Sequence, residues 1–186
     1  MRDIKRVAEG LNLMYVGNII AIVAALCTLL ALLLPFLAIL TVIAIFIGGV
    51  VSLVGLFMLR DEHPSYMNAL MACILGIVAS LLSNNESTVG IMMSLARSIF
   101  SLLQVYFVIR GTNCFLEVRE RSTEVAMGDR AWKWELASSI ISVIAAVTVF
   151  ILLPLALILS VAGIIVSIAA LVFYLSYLKA SIAALQ

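Results

Sequence analysis

Long apolar segments alternate with short polar ones along this chain. Residues 14–59 and residues 136–178 contain no Asp, Glu, Lys, Arg or His. A helix needs about 20 residues to cross a hydrocarbon layer of ~30 Å, so each segment is long enough for two crossings. Pro35 and Pro154 lie near the midpoints, and a proline interrupts a helix because it removes an amide donor and clashes with the preceding turn. Each segment is therefore predicted to form two helices.

The apolar segment between them is divided at residues 83–87, whose sequence Ser-Asn-Asn-Glu-Ser is typical of a turn. We expect an all-α integral membrane protein, with residues 1–186 forming a single membrane domain. The six predicted transmembrane helices lie at roughly 13–34, 37–59, 65–83, 88–110, 133–153 and 156–178.

Three apolar stretches each end in a single cation. They are Val51–Arg60, Ser101–Arg110 and Ala170–Lys179, and Asn18 recurs fifty positions later as Asn68. Self-similarity at a fixed interval indicates a repeated structural unit. The six helices are therefore predicted to form three sequential helical hairpins, an internal repeat. The repeat units lie at about 13–60, 65–110 and 133–179, with a loop at 111–132 before the third.

The composition restricts the partners of the chain. It is 65% hydrophobic and 11% charged, and its mean hydropathy is +1.26, which is far outside the range of soluble domains. A net charge of +1 and the lack of a dense basic segment argue against a nucleic-acid partner. The expected partners are the lipid bilayer and either further copies of the chain or a membrane partner subunit.

Cations lie almost entirely at one end of the predicted helices. Ten of the eleven Lys and Arg residues share this end: Arg2, Lys5, Arg6, Arg60, Arg110, Arg119, Arg121, Arg130, Lys133 and Lys179. Because cytoplasmic loops are enriched in Lys and Arg, we expect both termini and the loop 111–132 to be cytoplasmic. Within that loop, Gly128 is expected to end an extension of the fourth helix and Asp129 to cap the fifth.

The eleventh cation, Arg97, lies near the middle of the fourth predicted helix. A central Arg costs roughly 2.5–3.5 kcal/mol on insertion scales, so such residues usually face the bundle interior or a wet cavity. We expect Arg97 to face the interior. A polar stripe at helical spacing accompanies it, and these residues are the candidate ligand or permeation site: Ser94, Arg97, Ser98, Ser101 and Gln104. The competing interpretation is an Arg that serves helix packing or extends to the interface.

A second polar stripe lies on the fifth predicted helix, near its cytoplasmic end. Its members Glu135, Ser138 and Ser142 are further candidates for a polar path, although a carboxylate beside Trp134 near the interface is also compatible with a structural role. Small residues at helix-contact spacing are expected to let backbones approach closely. They are Gly48, Ser52 and Gly55 on the second helix and Ser160, Gly163 and Ser167 on the sixth. Asn18 and Asn68 are expected to form hydrogen bonds between helices.

An enzymatic role has little support in the sequence. His63 is the only histidine, and the cysteines Cys27, Cys73 and Cys114 have no metal-binding spacing. A phosphate-binding loop, a Ser/His/Asp set and an intramembrane carboxylate pair are all lacking from the sequence. We therefore expect no enzyme activity, no cofactor and no metal site.

Two functional interpretations remain. The chain resembles small six-span bacterial membrane proteins in general outline, which implies a multi-pass protein of a bacterial cell membrane. The first interpretation is a channel or transporter for a small or anionic solute, with a polar path on the fourth and fifth helices. The second is a non-transporting membrane subunit: a partner-binding scaffold, a sensor or the substrate-capture component of an importer. Capture subunits of energy-coupling importers have this size, and Ala21-x-x-x-Ala25 resembles their docking pattern.

The cation asymmetry predicts the result of cysteine labelling in intact cells. A membrane-impermeant maleimide is expected to modify a cysteine introduced by Asn85→Cys and to leave Cys114 unmodified, because the latter lies on the cation-rich, cytoplasmic side. Modification of Cys114 while the membrane is intact would reverse this topology.

Overall fold

The computed structural model describes residues 4–31, 35–83, 88–148 and 153–186, which form six α-helices. These are α1 (Ile4–Ala31), α2 (Pro35–Leu59), α3 (Pro64–Leu82), α4 (Thr88–Val118), α5 (Ser122–Thr148) and α6 (Leu153–Leu185). The all-helical prediction is confirmed. Most of the expected turn at 83–87 lies outside the described residues, as do the ends of the first and fifth predicted spans at 32–34 and 149–152.

Length and composition make five of these helices able to cross a membrane. The apolar segments are Ile4–Cys27, Ala38–Leu59, Pro64–Leu82, Met92–Val118 and Ile158–Leu185. Among the described residues α5 does not qualify, since its N-terminal half carries charged side chains such as Lys133 and Glu135. A multi-pass membrane protein is thus supported, and the number six remains a prediction.

Prolines mark helix starts. Pro35 is the first residue of α2, Pro64 is the first of α3, and Pro154 is the second of α6. The missing amide proton costs nothing in a first turn, because the first amides of a helix have no intrahelical acceptor. The expectation that Pro35 and Pro154 separate consecutive helices is therefore confirmed. His63 caps α3, since its Nδ1 accepts a hydrogen bond from the Ser65 amide at 3.1 Å.

Several helices continue beyond the predicted boundaries. α1 begins at Ile4, α4 continues to Val118, and α6 continues to Leu185. The segment 111–132, expected to be a loop, is helical except at Arg119–Arg121. The charged residues of these segments lie on helices and do not end them.

The connection between α4 and α5 is a tight helix C-cap. Glu120 has a φ of 58°, the Glu120 amide donates to the Glu117 carbonyl, and the Arg121 amide donates to the Leu116 carbonyl. This is the Schellman arrangement, with a glutamate in the left-handed position that glycine usually takes. The expected break at Gly128 and cap at Asp129 are wrong, because both residues lie inside α5.

Consecutive helices form three antiparallel pairs: α1 with α2, α3 with α4, and α5 with α6. In the first pair Gly10 is opposite Gly55 and Gly17 is opposite Gly48. In the third pair the Ser138 and Ser167 hydroxyls are 2.7 Å apart, and Gly163 is opposite Ile141. Whether the three pairs are copies of one unit remains a prediction.

The first pair has the closest backbone approach. A Cβ on Gly48 would lie 2.7 Å from the Gly17 carbonyl oxygen, and one on Gly55 would lie 2.6 Å from the Gly10 carbonyl oxygen. Between these crossings Ser52 Oγ donates to the Met14 carbonyl at 3.4 Å. Only glycine fits such contacts, as is common where helices associate in lipid. The expected contact role of Gly48, Ser52 and Gly55 agrees with this geometry, whereas Gly10 and Gly17 were not anticipated.

The three pairs share a core at one end only, which we call the closed end. It contains the start of α1, the α2–α3 and α4–α5 connections and the end of α6. Its largest fully buried side chains include Leu11, Leu56, Tyr66, Leu116, Tyr177 and Leu178.

The remaining part of the bundle, which we call the open half, is packed differently. It comprises residues 15–31, 35–52, 72–83, 88–104, 135–148 and 153–169. Among its described side chains, no Leu, Ile, Val, Met or Phe is buried, and the buried residues are Gly17, Ala24, Thr41, Gly48, Ala72, Ala79, Gly90, Ser138, Ala145 and Gly163. These small residues lie where two helices of one pair approach closely. The pairs therefore share no large-residue core in the open half.

Adjacent glycines of α2 provide a matched test of the first pair. Gly48→Ala is expected to destabilise the protein by on the order of 1–3 kcal/mol, because the added methyl group meets the α1 backbone. Gly49→Ala adds its methyl group to open space and is expected to stabilise the helix by about 0.5–1 kcal/mol. Thermal unfolding of the purified variants in one detergent measures both effects, and effects of the same sign would contradict the α1–α2 contact.

Candidate functional site

Arg97 lies in a groove between α3 and α4. The groove has a volume of about 210 Å³ and is lined by Arg97, Ser101 and Gln104 of α4 and by Ala72, Cys73, Gly76, Ile77 and Ser80 of α3. Arg97 and Ser101 are exposed, and Gln104 is half-buried. The bundle does not enclose Arg97, because the pairs have no shared core at this level, and the expectation that Arg97 faces the interior remains a prediction.

The guanidinium of Arg97 has no ion-pair or hydrogen-bond partner within the described part of the chain. The two ion pairs found there, Arg6 with Glu62 and Arg60 with Asp61, are at the closed end. An arginine carries five donors and stays protonated. The groove thus presents a positive charge together with a hydroxyl and an amide that can donate to the same acceptor.

The polar stripe of α4 continues the face that is buried at the closed end. Val108 is fully buried, and Ser101 and Ser94 precede it by seven and fourteen residues. Residues seven apart on a helix differ by only ~20° in direction, so these serines point to nearly the same side as Val108. On α3, Cys73 and Ile77 likewise follow the buried Ala69 at intervals of four. The groove therefore continues faces of α3 and α4 that are buried at the closed end.

The members of the α4 stripe differ in availability. Ser98 Oγ donates to the Ser94 carbonyl at 3.2 Å, so its hydroxyl proton is directed at its own helix. Both serines are exposed and lie outside the groove lining. Arg97, Ser101 and Gln104 are the stripe residues that the structure brings together around one space.

The α5 stripe belongs to a separate groove between α5 and α6. This groove has a volume of about 500 Å³ and is lined by Ser142, Ser160, Gly163 and Ser167 together with apolar residues. Ser138 is buried and bonded to Ser167, and Ser142 Oγ donates to the Ser138 carbonyl at 2.9 Å. Glu135 is half-buried and does not line either groove.

The two stripes share no contact surface. Glu135 and Ser142 follow the fully buried Ala131 by four and eleven residues, so they too continue a face that is buried at the closed end. No residue lines both grooves in the described chain. A single continuous path along the fourth and fifth helices is therefore not formed by direct contact between them.

Buried tyrosines at the closed end were missed by the sequence analysis. Tyr66 Oη and Thr112 Oγ1 are 3.0 Å apart, and Thr112 donates to the Val108 carbonyl at 2.9 Å, so Tyr66 is the donor of the pair. Tyr177 Oη donates to Asn113 Oδ1 at 2.7 Å. Consecutive residues of α4 thus accept hydrogen bonds from α3 and α6.

Glycine allows both tyrosine rings to approach. A Cβ on Gly111 would lie 3.0 Å from the Tyr66 ring, and one on Gly128 would lie 2.8 Å from the Tyr177 ring. Neither the residue type of Tyr66 and Tyr177 nor their distance in sequence from Thr112 and Asn113 indicated these hydrogen bonds.

Two other expected contacts take different forms. Asn18 Nδ2 donates to the Met14 carbonyl of its own helix at 2.7 Å, and no bond between helices is formed there. Ala21 of the Ala21-x-x-x-Ala25 pattern lies against Gly48 inside the first pair, whereas Ala25 is exposed. Half of the suggested docking pattern is thus occupied by packing within the chain.

Comparison of the chain with protein-family models, with curated proteins and with solved structures finds no match.

The closed-end bonds lead to a stability prediction. Tyr177→Phe is expected to lower the free energy of unfolding by about 1–3 kcal/mol, because buried Asn113 Oδ1 loses its donor. Tyr106→Phe is the control: Tyr106 Oη accepts an exposed bond from Arg110 at 3.3 Å, and its loss is expected to cost no more than about 0.5 kcal/mol. Thermal unfolding of both variants measures the difference, and equal losses would show that the Tyr177 bond contributes nothing specific.

Proposed function

We propose that the chain spans the membrane six times as three sequential hairpins of a repeated unit. The span added to the five that qualify by length and composition is α5. Its charge-free part begins at Leu136 and pairs with α6. The closed end is then on the cytoplasmic side of a bacterial cell membrane, together with both termini. The cation distribution supports this orientation, since Arg6, Arg119, Arg121 and Arg130 all belong to the closed end.

We propose that this protein binds and transports an anionic solute held at Arg97. The observation that carries the proposal is the direction of the α4 stripe: it continues the buried face of the closed end into a part of the bundle where that face is exposed. The solute reaches the groove between α3 and α4 through the open half. The closed-end core bars its further passage in this state.

Electrostatics favours an anion at this position. The cost of a mid-membrane guanidinium is offset when a negative charge or water satisfies its donors. Attraction between unlike charges is stronger beside the low-dielectric membrane interior than in bulk water. Ser101 and Gln104 add neutral donors on the same side of the groove. The groove offers binding groups but no adjacent nucleophile and base, so we propose a binding role and not an enzymatic one.

The alternative proposal is a non-transporting membrane subunit, either a scaffold, a sensor or the substrate-capture component of an importer. The closed end favours this alternative over an open channel, because fully buried Leu116, Tyr66 and Leu178 fill the centre of the bundle there. Exposed apolar side chains of α2, such as Ile39, Ile43 and Phe46, are covered in the cell by lipid, a partner subunit or another copy. Copurification separates the two proposals: a stoichiometric partner supports the subunit, and a protein isolated alone supports transport.

Substitution of Arg97 tests the anion site. Without added anion, Arg97→Leu is expected to leave the unfolding temperature unchanged or raised, because a costly charge is removed from a position without a partner. Sodium acetate, at ionic strength matched with a large impermeant salt, is expected to stabilise the unmodified protein by mass action and not the variant. Arg97→Lys is the control and keeps part of the effect, since it retains the charge but loses the planar fork of donors.

If acetate also stabilises the Arg97→Leu variant, the anion does not bind at Arg97. Unfolding of Arg97→Leu in the absence of anion would make the residue structural.

A further inference from the structure

An apolar strip runs beside the Arg97 groove on α3. Ile74, Ile77 and Leu81 are 49%, 48% and 81% exposed, and Ile77 also lines the groove. Their spacing of three and four places them along one side of the helix. The strip begins one turn beyond Leu70, which is buried in the closed-end core. It therefore continues, like the polar stripe of α4, a side of its helix that is buried at the closed end.

Two unlike surfaces thus adjoin each other. The α4 side of the groove carries Arg97, Ser101 and Gln104. The α3 side carries Ile77 and the small residues Ala72, Cys73, Gly76 and Ser80, and the rest of the aliphatic strip lies beside it. A small hydrated ion would use only the first surface. A ligand with an acidic group and a hydrocarbon chain would use both, because its charge meets the guanidinium while its methylenes cover the strip.

We propose that the ligand of this groove is a single-chain anionic amphiphile, with its acidic head group at Arg97 and its hydrocarbon chain along Ile74, Ile77 and Leu81. This inference rests on the proposed anion-binding function and specifies its substrate class. The shared core ends below this level, so the groove is open along its length and the amphiphile enters sideways from the bilayer.

The depth of Arg97 favours a free acid over a bilayer phospholipid. Arg97 is nine residues from the start of α4 at Thr88, which is about 14 Å along the helix axis. The phosphate of an intact phospholipid lies at the membrane surface, so its anchored head group does not reach this level. A fatty acid or alkyl sulfonate leaves the surface with a much smaller polar group.

Chain-length dependence tests the proposal on the unmodified protein. In nanodiscs of neutral phosphatidylcholine, apparent affinities for acetate, octanoate and dodecanoate are measured from the shift of the unfolding temperature. Affinity referred to the aqueous ligand concentration is expected to increase by about threefold or more for each methylene withdrawn from water. Partition into the nanodisc gives the same increment, so the share that belongs to the strip is the part that is lost in Ile77→Ser. Methyl dodecanoate, which keeps the chain and lacks the charge, is expected to bind at least about tenfold more weakly than dodecanoate.

Variants assign the binding to the groove. Arg97→Gln is expected to weaken dodecanoate binding by about tenfold or more. Arg110→Gln removes an exposed arginine of the same helix outside the groove and is expected to change it by less than about twofold. Ile77→Ser is expected to weaken dodecanoate and leave acetate unchanged. A photoreactive dodecanoate is expected to label α3 or α4 in the open half.

The outcomes separate this inference from the function on which it rests. If acetate and dodecanoate bind with equal affinity and both depend on Arg97, the amphiphile proposal is wrong and the proposed anion site stands. Binding of neither in the unmodified protein would overturn both. Stabilisation by nanodiscs containing phosphatidylglycerol, lost in Arg97→Gln and without a dodecanoate effect, would assign the groove to a lipid head group and overturn the free acid.

Discussion

Attachment of α4 to its neighbours at the closed end is the constraint on which the bundle depends. Tyr66 from α3 and Tyr177 from α6 donate to the consecutive side chains Thr112 and Asn113 of α4. Both bonds are buried, and an unpaired polar group costs more free energy in the low dielectric of a protein interior than in water. Because they fix the rotation of α4 about its axis, they also determine where Arg97 points about four turns farther along the same helix. The position of the candidate site therefore originates outside the site.

Small residues and large residues divide the packing between them. Within a pair, glycine and alanine bring backbones together, which supplies dispersion contacts that do not depend on a hydrophobic driving force in lipid. Between pairs, large aliphatic and aromatic side chains of the described residues pack together only at the closed end. The two kinds of packing therefore occupy different parts of the bundle.

The sequence predicted the helices better than their mutual arrangement. Apolar periodicity and Pro35 and Pro154 located the helices, since both act locally. The end of α4 was misplaced because a glutamate at position 120 takes the left-handed conformation usually assigned to glycine. Arg97 was expected to face the bundle interior because the cost of its charge is a local property, whereas its coverage by other helices depends on how far three distant pairs remain in contact. The tyrosine bonds join residues 46 and 64 positions apart, and no local pattern reports them.

The contact between α1 and α6 has a consequence for biogenesis. α1 is made well before α6, yet the two helices pack together, and the Arg119 guanidinium also donates to the Ala184 carbonyl at 2.9 Å. The closed end is consequently incomplete until α6 has left the ribosome and entered the bilayer. Bringing α1 and α6 together closes a long loop, and the loss of conformational entropy comes before the contact stabilises the fold. The earlier helix pairs must therefore persist in lipid as separate units. The close Gly10–Gly55 and Gly17–Gly48 contacts hold α1 and α2 together until α6 arrives.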